Sequence, residues 1–176
     1  VLMSNPRRSE LDLSSIRILS CGGSPLAPDV IETAIRELGC VFFMDYGMTE
    51  CSGHICISLL PPELQALPLK QRLQLNSMSG LPFYGMDVRV VDPTQANDST
   101  IAADGIAVGE VVVRGDTVFG EYWKDQAATV ASRLAASDGG PSGFRTGDRA
   151  GVKAQGVWNV ISRVKDMIIS GGENIY

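Results

Sequence analysis

The chain has 176 residues, 44% of them hydrophobic and 20% charged, with a net charge of −5. This is the composition of an ordinary globular protein, long enough for one cored domain or for pieces of two. An acidic chain without a basic cluster excludes a nucleic-acid surface, and no apolar run approaches the ~20 residues of a membrane-spanning helix. Cys21, Cys40, Cys51 and Cys56 show no Cys-x-x-Cys spacing. Buried free thiols in a reducing compartment are therefore expected. With no export signal at the start, the expected location is the cytoplasm, an organelle such as the peroxisome being the alternative.

The chain opens on Val1-Leu2-Met3 and stops at Tyr176, and it reads as an internal piece of a longer polypeptide. Ile16-Arg17-Ile18-Leu19 has the pattern of a strand, and Cys21-Gly22-Gly23-Ser24-Pro25 follows as a turn. The next segment carries the strongest helical signal. Pro28 suits the first helical position, Asp29 and Glu32 place negative charge in the first turn, and Val30, Ile31, Ala34, Ile35 and Leu38 recur at helical spacing before Gly39. Cys40 to Met44 is a second strand, so residues 16–44 form a strand–helix–strand unit with a parallel pair. The turns after its two strands leave the same sheet edge and make a crevice.

Residues 59–76, with Pro61-Pro62 and Pro68, read as a loop with a short helix. Asp87–Asp92 and Glu110–Arg114 are β-branched strands separated by a polar turn region, Ala96–Gly105. Glu121–Leu134 is partly helical, Ala135–Gly143 is a Ser/Gly-rich loop, and Val157–Ile161 is another strand. The expected fold class is α/β with a β-rich, barrel-like module. The α/β portion covers 1–77 and the β-rich portion 78–161, as parts of one domain, and 162–176 is expected to be a hinge and the start of a truncated C-terminal lobe.

The residues with the most chemistry lie in Met44-Asp45-Tyr46-Gly47-Met48-Thr49-Glu50, where an apolar strand ends abruptly in polar groups. Tyr46 offers a flat face for stacking and Gly47 a close backbone approach to a ligand. Thr49 can donate to a phosphate oxygen. Glu50 can hold Mg²⁺, an ion that favours carboxylates together with phosphates. Asp45 and Met48 belong to the same turn. Cys51, His54 and Cys56 fall short of a zinc set, because a fourth ligand is missing. His54 reads as a packed histidine or as one lining the entrance of a substrate pocket.

Five stretches, in order, resemble the adenylate-forming enzymes, the superfamily of acyl- and aryl-CoA synthetases, firefly luciferase and peptide-synthetase adenylation domains. They are Gly22-Gly23-Ser24-Pro25-Leu26, Tyr46 to Glu50, Gly109 to Gly115, Arg145-Thr146-Gly147-Asp148, and Arg163 to Tyr176. The resemblance spans nearly the whole chain. It departs from the usual pattern at Ser162, Glu121 and Gln126-Ala127. It implies that Gly22, Gly23 and Ser24 border an adenine on which Tyr46 packs. It also implies that Thr49 reaches the α-phosphate, that Glu50 helps hold Mg²⁺, and that Asp148 and Arg163 serve the ribose. A carboxylate suits two vicinal hydroxyls, and a guanidinium fork suits sugar and phosphate oxygens.

The implied reaction joins a small-molecule carboxylic acid to ATP, giving an acyl-adenylate and pyrophosphate; CoA then takes the acyl group and AMP leaves. Gly171-Gly172-Glu173-Asn174-Ile175-Tyr176 is similar to the CoA ligases. There Lys165 corresponds to a hinge opening a C-terminal lobe, and Gly171 and Gly172 border the path of the thiol. The family's phosphate-cradling loop is expected before Val1 and its catalytic lysine after Tyr176, so this piece alone is expected to be inactive. Two alternatives stand beside the CoA ligase: an adenylation domain loading a carrier-protein thiol, and a non-catalytic nucleotide-binding module.

Overall fold

The computed structural model of the chain describes residues 5–94, 96, 98–163, 168–170 and 173–175. After a 3₁₀ turn at Pro6–Glu10, β1 (Ile18–Gly22) and β2 (Val41–Tyr46) pair in parallel across helix α1 (Pro28–Leu38). α1 begins on Pro28 and stops at Gly39, whose left-handed φ of 61° lets its N–H reach the Ile35 carbonyl. Its buried stripe is Ile31, Ala34 and Leu38, with Val30 exposed. β1 starts two residues later than its apolar pattern suggests and takes in Cys21 and Gly22. Partners set these limits: Ile18 is the first residue opposite β2, and Gly22 is still paired, with Asp45.

The same sheet continues antiparallel through β3 (Cys56–Ile57) and β4 (Leu81–Pro82). Between these strands lie two helices rather than one, α2 (Pro62–Gln65) and α3 (Leu69–Asn76). Leu73 of α3 joins Ile31, Ala34, Phe42 and Met44 in the core beneath β2.

The β-rich part is a five-stranded sheet. β5 (Asp87–Val91), β6 (Gly109–Arg114), β7 (Arg133–Leu134) and β8 (Gly143–Val152) run in the order β5-β6-β8-β7, and β9 (Trp158–Arg163) pairs with β8, all antiparallel. Helix α4 (Gln126–Ala131) precedes β7, and its N-terminus is capped by the Asp125 carboxylate accepting from Ala128 N at 2.9 Å. A hairpin, β10 (Ile168–Ser170) with β11 (Glu173–Ile175), closes the described chain. The fold is α/β with a β-rich module, as the patterning indicates.

The two sheets share one core. Cys51, Ile55 and Cys56, which follow β2, pack with Val88, Val90, Val111, Val113, Phe144 and Trp158. Gly80 and Trp158 exchange backbone hydrogen bonds at 3.2 and 2.7 Å, joining the sheets at the edge. Among the described residues no helix is long and apolar enough to cross a membrane.

Candidate nucleotide site

β2 ends on Tyr46, and the chain then closes a tight loop before β3. Gly53 N donates to Met48 O at 3.1 Å and Ile55 N to Tyr46 O at 2.8 Å. A Cβ on Gly47 would sit 1.4 Å from the Gly53 carbonyl oxygen. The close approach that this glycine permits is therefore to the chain itself. Cys51 is buried beneath the 3₁₀ turn Thr49–Cys51, which leaves Thr49 exposed and Glu50 half-buried.

Asp148 reaches the loop from the other sheet. Arg145-Thr146-Gly147-Asp148 lies in the middle of β8. Between the pairs Val112↔Arg145 and Glu110↔Arg149, β8 carries two more residues than β6. Gly147, at φ 75°, absorbs the resulting bulge. Such bulges re-aim side chains. The Thr146 hydroxyl accepts from Asp148 N at 3.1 Å and donates to the Val111 carbonyl at 3.0 Å, locking the bulge in place.

Only 3% of Asp148 is exposed, and its carboxylate is held from two sides. The Tyr46 hydroxyl donates to Oδ2 at 2.7 Å, across 102 residues of sequence. Arg163 Nε donates to Oδ1 at 3.0 Å from the facing position on β9. Burial pushes the Asp148 carboxyl above the usual carboxylate range, and the Glu110 charge adds to this. The hydrogen bond from Tyr46 and the Arg163 charge oppose the rise without cancelling it. Burial, followed by the Asp148 charge, pushes the Tyr46 phenol well above its ordinary value, so it remains a donor.

Three of the residues singled out from the sequence thus meet directly: Tyr46, Asp148 and Arg163. Gly22 lies beside Asp45 in register, with Gly23 and Ser24 in the turn that follows. Asp45 Oδ2 accepts from the Ser20 hydroxyl at 2.9 Å, and its Oδ1 is 3.8 Å from Nδ1 of the exposed His54, whose ring tilts against Phe83. Glu50 is engaged elsewhere: its Oε1 accepts from the Tyr122 hydroxyl at 2.9 Å. Lys165, Gly171 and Gly172 lie outside the described residues.

Ser20 and Tyr122 are the contributors that sequence reasoning passed over. Ser20 is two residues before Gly22 on the same face of β1, a period that could have flagged it. Tyr122 is 72 residues from Glu50, and nothing local joins them. Among the described residues no group of three or more His, Cys, Asp and Glu side chains gathers to hold a metal. Cys51 and Cys56 are free thiols pushed up to about 12, mainly by burial, which makes them packing residues at working pH.

A feruloyl-CoA synthase of Amycolatopsis sp is 35% identical over 175 residues, which is 99% of this chain and 31% of that protein. The 4-hydroxybutyrate–CoA ligase 2 of Metallosphaera sedula is 33% identical over 170 residues, 96% of this chain and 29% of that protein. The chain spans less than a third of the length of these relatives. Among solved structures, the amide bond synthetase McbA of Marinactinospora thermotolerans superposes with a TM-score of 0.75 at 27% identity, over 98% of this chain and 31% of that one. The profile of the AMP-binding enzymes matches residues 1–123, most of the chain, which therefore belongs to the AMP-binding enzyme family.

Proposed function

We propose that this chain supplies the adenosine side of the active site of an ATP-dependent acyl- or aryl-CoA ligase. The observation that carries the reading is the Tyr46–Asp148–Arg163 contact at the carboxyl end of β2, the edge where open α/β sheets take ligands. An ionised carboxylate has about four acceptor positions. Tyr46 uses one on Oδ2 and Arg163 one on Oδ1, so each oxygen of Asp148 retains acceptor capacity for one of two vicinal ribose hydroxyls. With its hydroxyl tied to Asp148, Tyr46 is held at the end of β2, directly after the Asp45 that pairs with Gly22, and its ring is the surface for the base. Thr49, exposed at the turn, donates to the α-phosphate.

In the first step the substrate carboxylate attacks the α-phosphate and pyrophosphate leaves; in the second a CoA thiol attacks the acyl carbon and AMP leaves. The residues here act by positioning the nucleotide and by excluding water from its sugar. Glu50 fits a role in holding Mg²⁺. Its Oε2 has no partner among the described residues, and this ion is commonly held by one or two carboxylates together with phosphate oxygens. Mg²⁺ bound there would neutralise charge on the phosphates. CoA as acceptor is supported by the relatives' names and by the Gly171–Tyr176 stretch, with Lys165 as the hinge.

The acids named for the relatives include an aromatic and a short aliphatic one, so the acyl substrate is assigned only as a small-molecule carboxylic acid. The test uses the complete protein that contains this chain, with feruloyl-type and hydroxybutyrate-type acids. Acid-dependent exchange of labelled pyrophosphate into ATP, followed by a CoA thioester seen by mass spectrometry, is the expected result. Exchange with transfer only to a phosphopantetheinyl carrier protein would replace CoA by a carrier. No exchange with any acid would sink the enzymatic reading.

A further inference from the structure

Residues 115–132, the strap between β6 and β7, lie across the Thr49–Ser52 turn and are fastened to it three times. The Ser52 hydroxyl donates to Thr117 O at 2.9 Å, Phe119 N donates to Glu50 O at 2.8 Å, and the Tyr122 hydroxyl donates to Glu50 Oε1 at 2.9 Å. Two of these three contacts are to Glu50 itself.

The strap is itself tied down where it does this. Arg133 Nη2 donates to the carbonyls of Phe119 and Gly120 at 2.7 and 2.8 Å, and its guanidinium lies 5.0 Å from the centre of the Phe119 ring. Phe119 in turn packs edge-on against buried Phe144 and touches the Tyr122 ring at 4.6 Å. Tyr122 is fixed at its backbone as well, its N–H donating to Thr129 Oγ1 at 2.9 Å while that hydroxyl donates to Asp125 O at 2.8 Å.

We propose that Tyr122 is a positioning residue: it holds Oε1 of Glu50 so that one carboxylate rotamer, with Oε2 free, is presented to a divalent cation. This rests on the assignment of Glu50 as the metal-holding carboxylate. A half-buried glutamate left to itself loses rotamer freedom when it takes up an ion; Tyr122 imposes that order on the carboxylate in advance, and the Phe119 amide fixes the backbone that carries it. Outer partners of metal-holding groups typically alter metal affinity by about 10- to 100-fold. A single neutral donor belongs at the low end of that range.

The experiment compares wild type, Tyr122→Phe, Glu50→Gln and the double variant in the complete protein. Tyr122→Phe keeps the ring against Phe119 and removes one oxygen, so the fold is expected to survive, as circular dichroism and thermal melting would verify. Two readouts are taken: Mn²⁺ binding in the presence of a non-hydrolysable ATP analogue, by electron paramagnetic resonance, and AMP binding without metal, by calorimetry. The expected result is about a tenfold loss of Mn²⁺ affinity in Tyr122→Phe, AMP affinity within about twofold of wild type, and little further loss of Mn²⁺ affinity when the change is added to Glu50→Gln. If Glu50→Gln weakens Mn²⁺ binding but Tyr122→Phe does not, or if the two losses simply add, the positioning role is wrong and the Glu50 assignment stands. If Glu50→Gln itself leaves Mn²⁺ binding unchanged, the underlying assignment fails and the inference falls with it.

Discussion

Two buried aspartates in the β-rich part of the fold, one in a loop and one in a strand, are treated in opposite ways. Asp98 has no exposed surface and is saturated: its Oδ2 accepts from Arg89 Nη1 at 3.0 Å and from Arg114 Nη2, and its Oδ1 from Ser137 N at 2.6 Å. Asp87 and Asp138 complete this group around the same two guanidiniums. Asp148 is nearly as buried but has one guanidinium and one neutral phenol. Its carboxyl is pushed upward, mainly by burial, despite both partners. A charge that is fully matched holds a structure together. A charge left partly unmatched costs stability, and a site that tolerates the cost is one where a ligand completes the match.

The largest effect is expected on the matched side. Asp98→Ala would leave Arg89 and the mostly buried Arg114 with only the half-exposed Asp87 and Asp138 as partners, and would release the loops that Asp98 and Ser137 tie to the sheet. Breaking a buried ion pair typically costs about 3–5 kcal/mol, and the partial exposure of Arg89 places this one near ~3 kcal/mol. Chemical denaturation of the complete protein would measure it, with AMP affinity unchanged to within about twofold in the folded fraction. A folded variant with lost nucleotide binding and undiminished stability would invert the comparison.

The next effect falls on the unmatched side, and on a different observable. Asp148→Asn keeps an acceptor for Arg163 and relieves the burial of a charge, so stability is expected to hold or rise. Hydrogen bonds to a charged acceptor contribute about 1.5–3 kcal/mol each when removal leaves partners unpaired. With an amide still able to accept one bond, AMP affinity is expected to drop about 10- to 100-fold by calorimetry. If stability fell as it does for Asp98→Ala while affinity was spared, Asp148 would be a structural residue.

The contrast between these clusters also marks what the sequence made legible. α1 was readable from Pro28 to Gly39 because its signals are local: a fixed first φ, a stripe at helical spacing and a left-handed stop. Tyr46 and Asp148 were each nameable, but their meeting over 102 residues was not, since it depends on a β8 bulge that no local pattern announces. Asp98 was the hardest case. It sits in a polar, turn-like stretch, and such a stretch reads as solvated; only the arrival of Arg89 and Arg114 from β5 and β6 buries it. Side-chain periodicity reports which face of an element is covered. It carries no information on which distant charge covers a loop.

The smallest effect separates the clusters by pH. Asp148 has a raised carboxyl in the folded state, so above that raised value its ionised form weakens the fold relative to the unfolded chain. As pH falls through the folded value the site binds a proton, the penalty disappears, and stability from this residue rises until the ordinary carboxylate range is passed. Nucleotide affinity moves the opposite way in the same window, because a protonated Asp148 has lost acceptor capacity for the ribose. Asp138 behaves in the reverse sense. The Gly140 N–H, together with Arg114, holds its carboxyl down at about 2, so its stabilising contribution is full above the ordinary carboxylate range and is lost only as pH falls toward that value. AMP titrations from neutral to mildly acidic pH should therefore show affinity falling in wild type while Asp148→Asn stays flat. Denaturation curves over the same range should show the wild-type deficit relative to Asp148→Asn shrinking. A wild-type affinity as flat as that of the variant would mean that Asp148 does not face the nucleotide, whatever its burial.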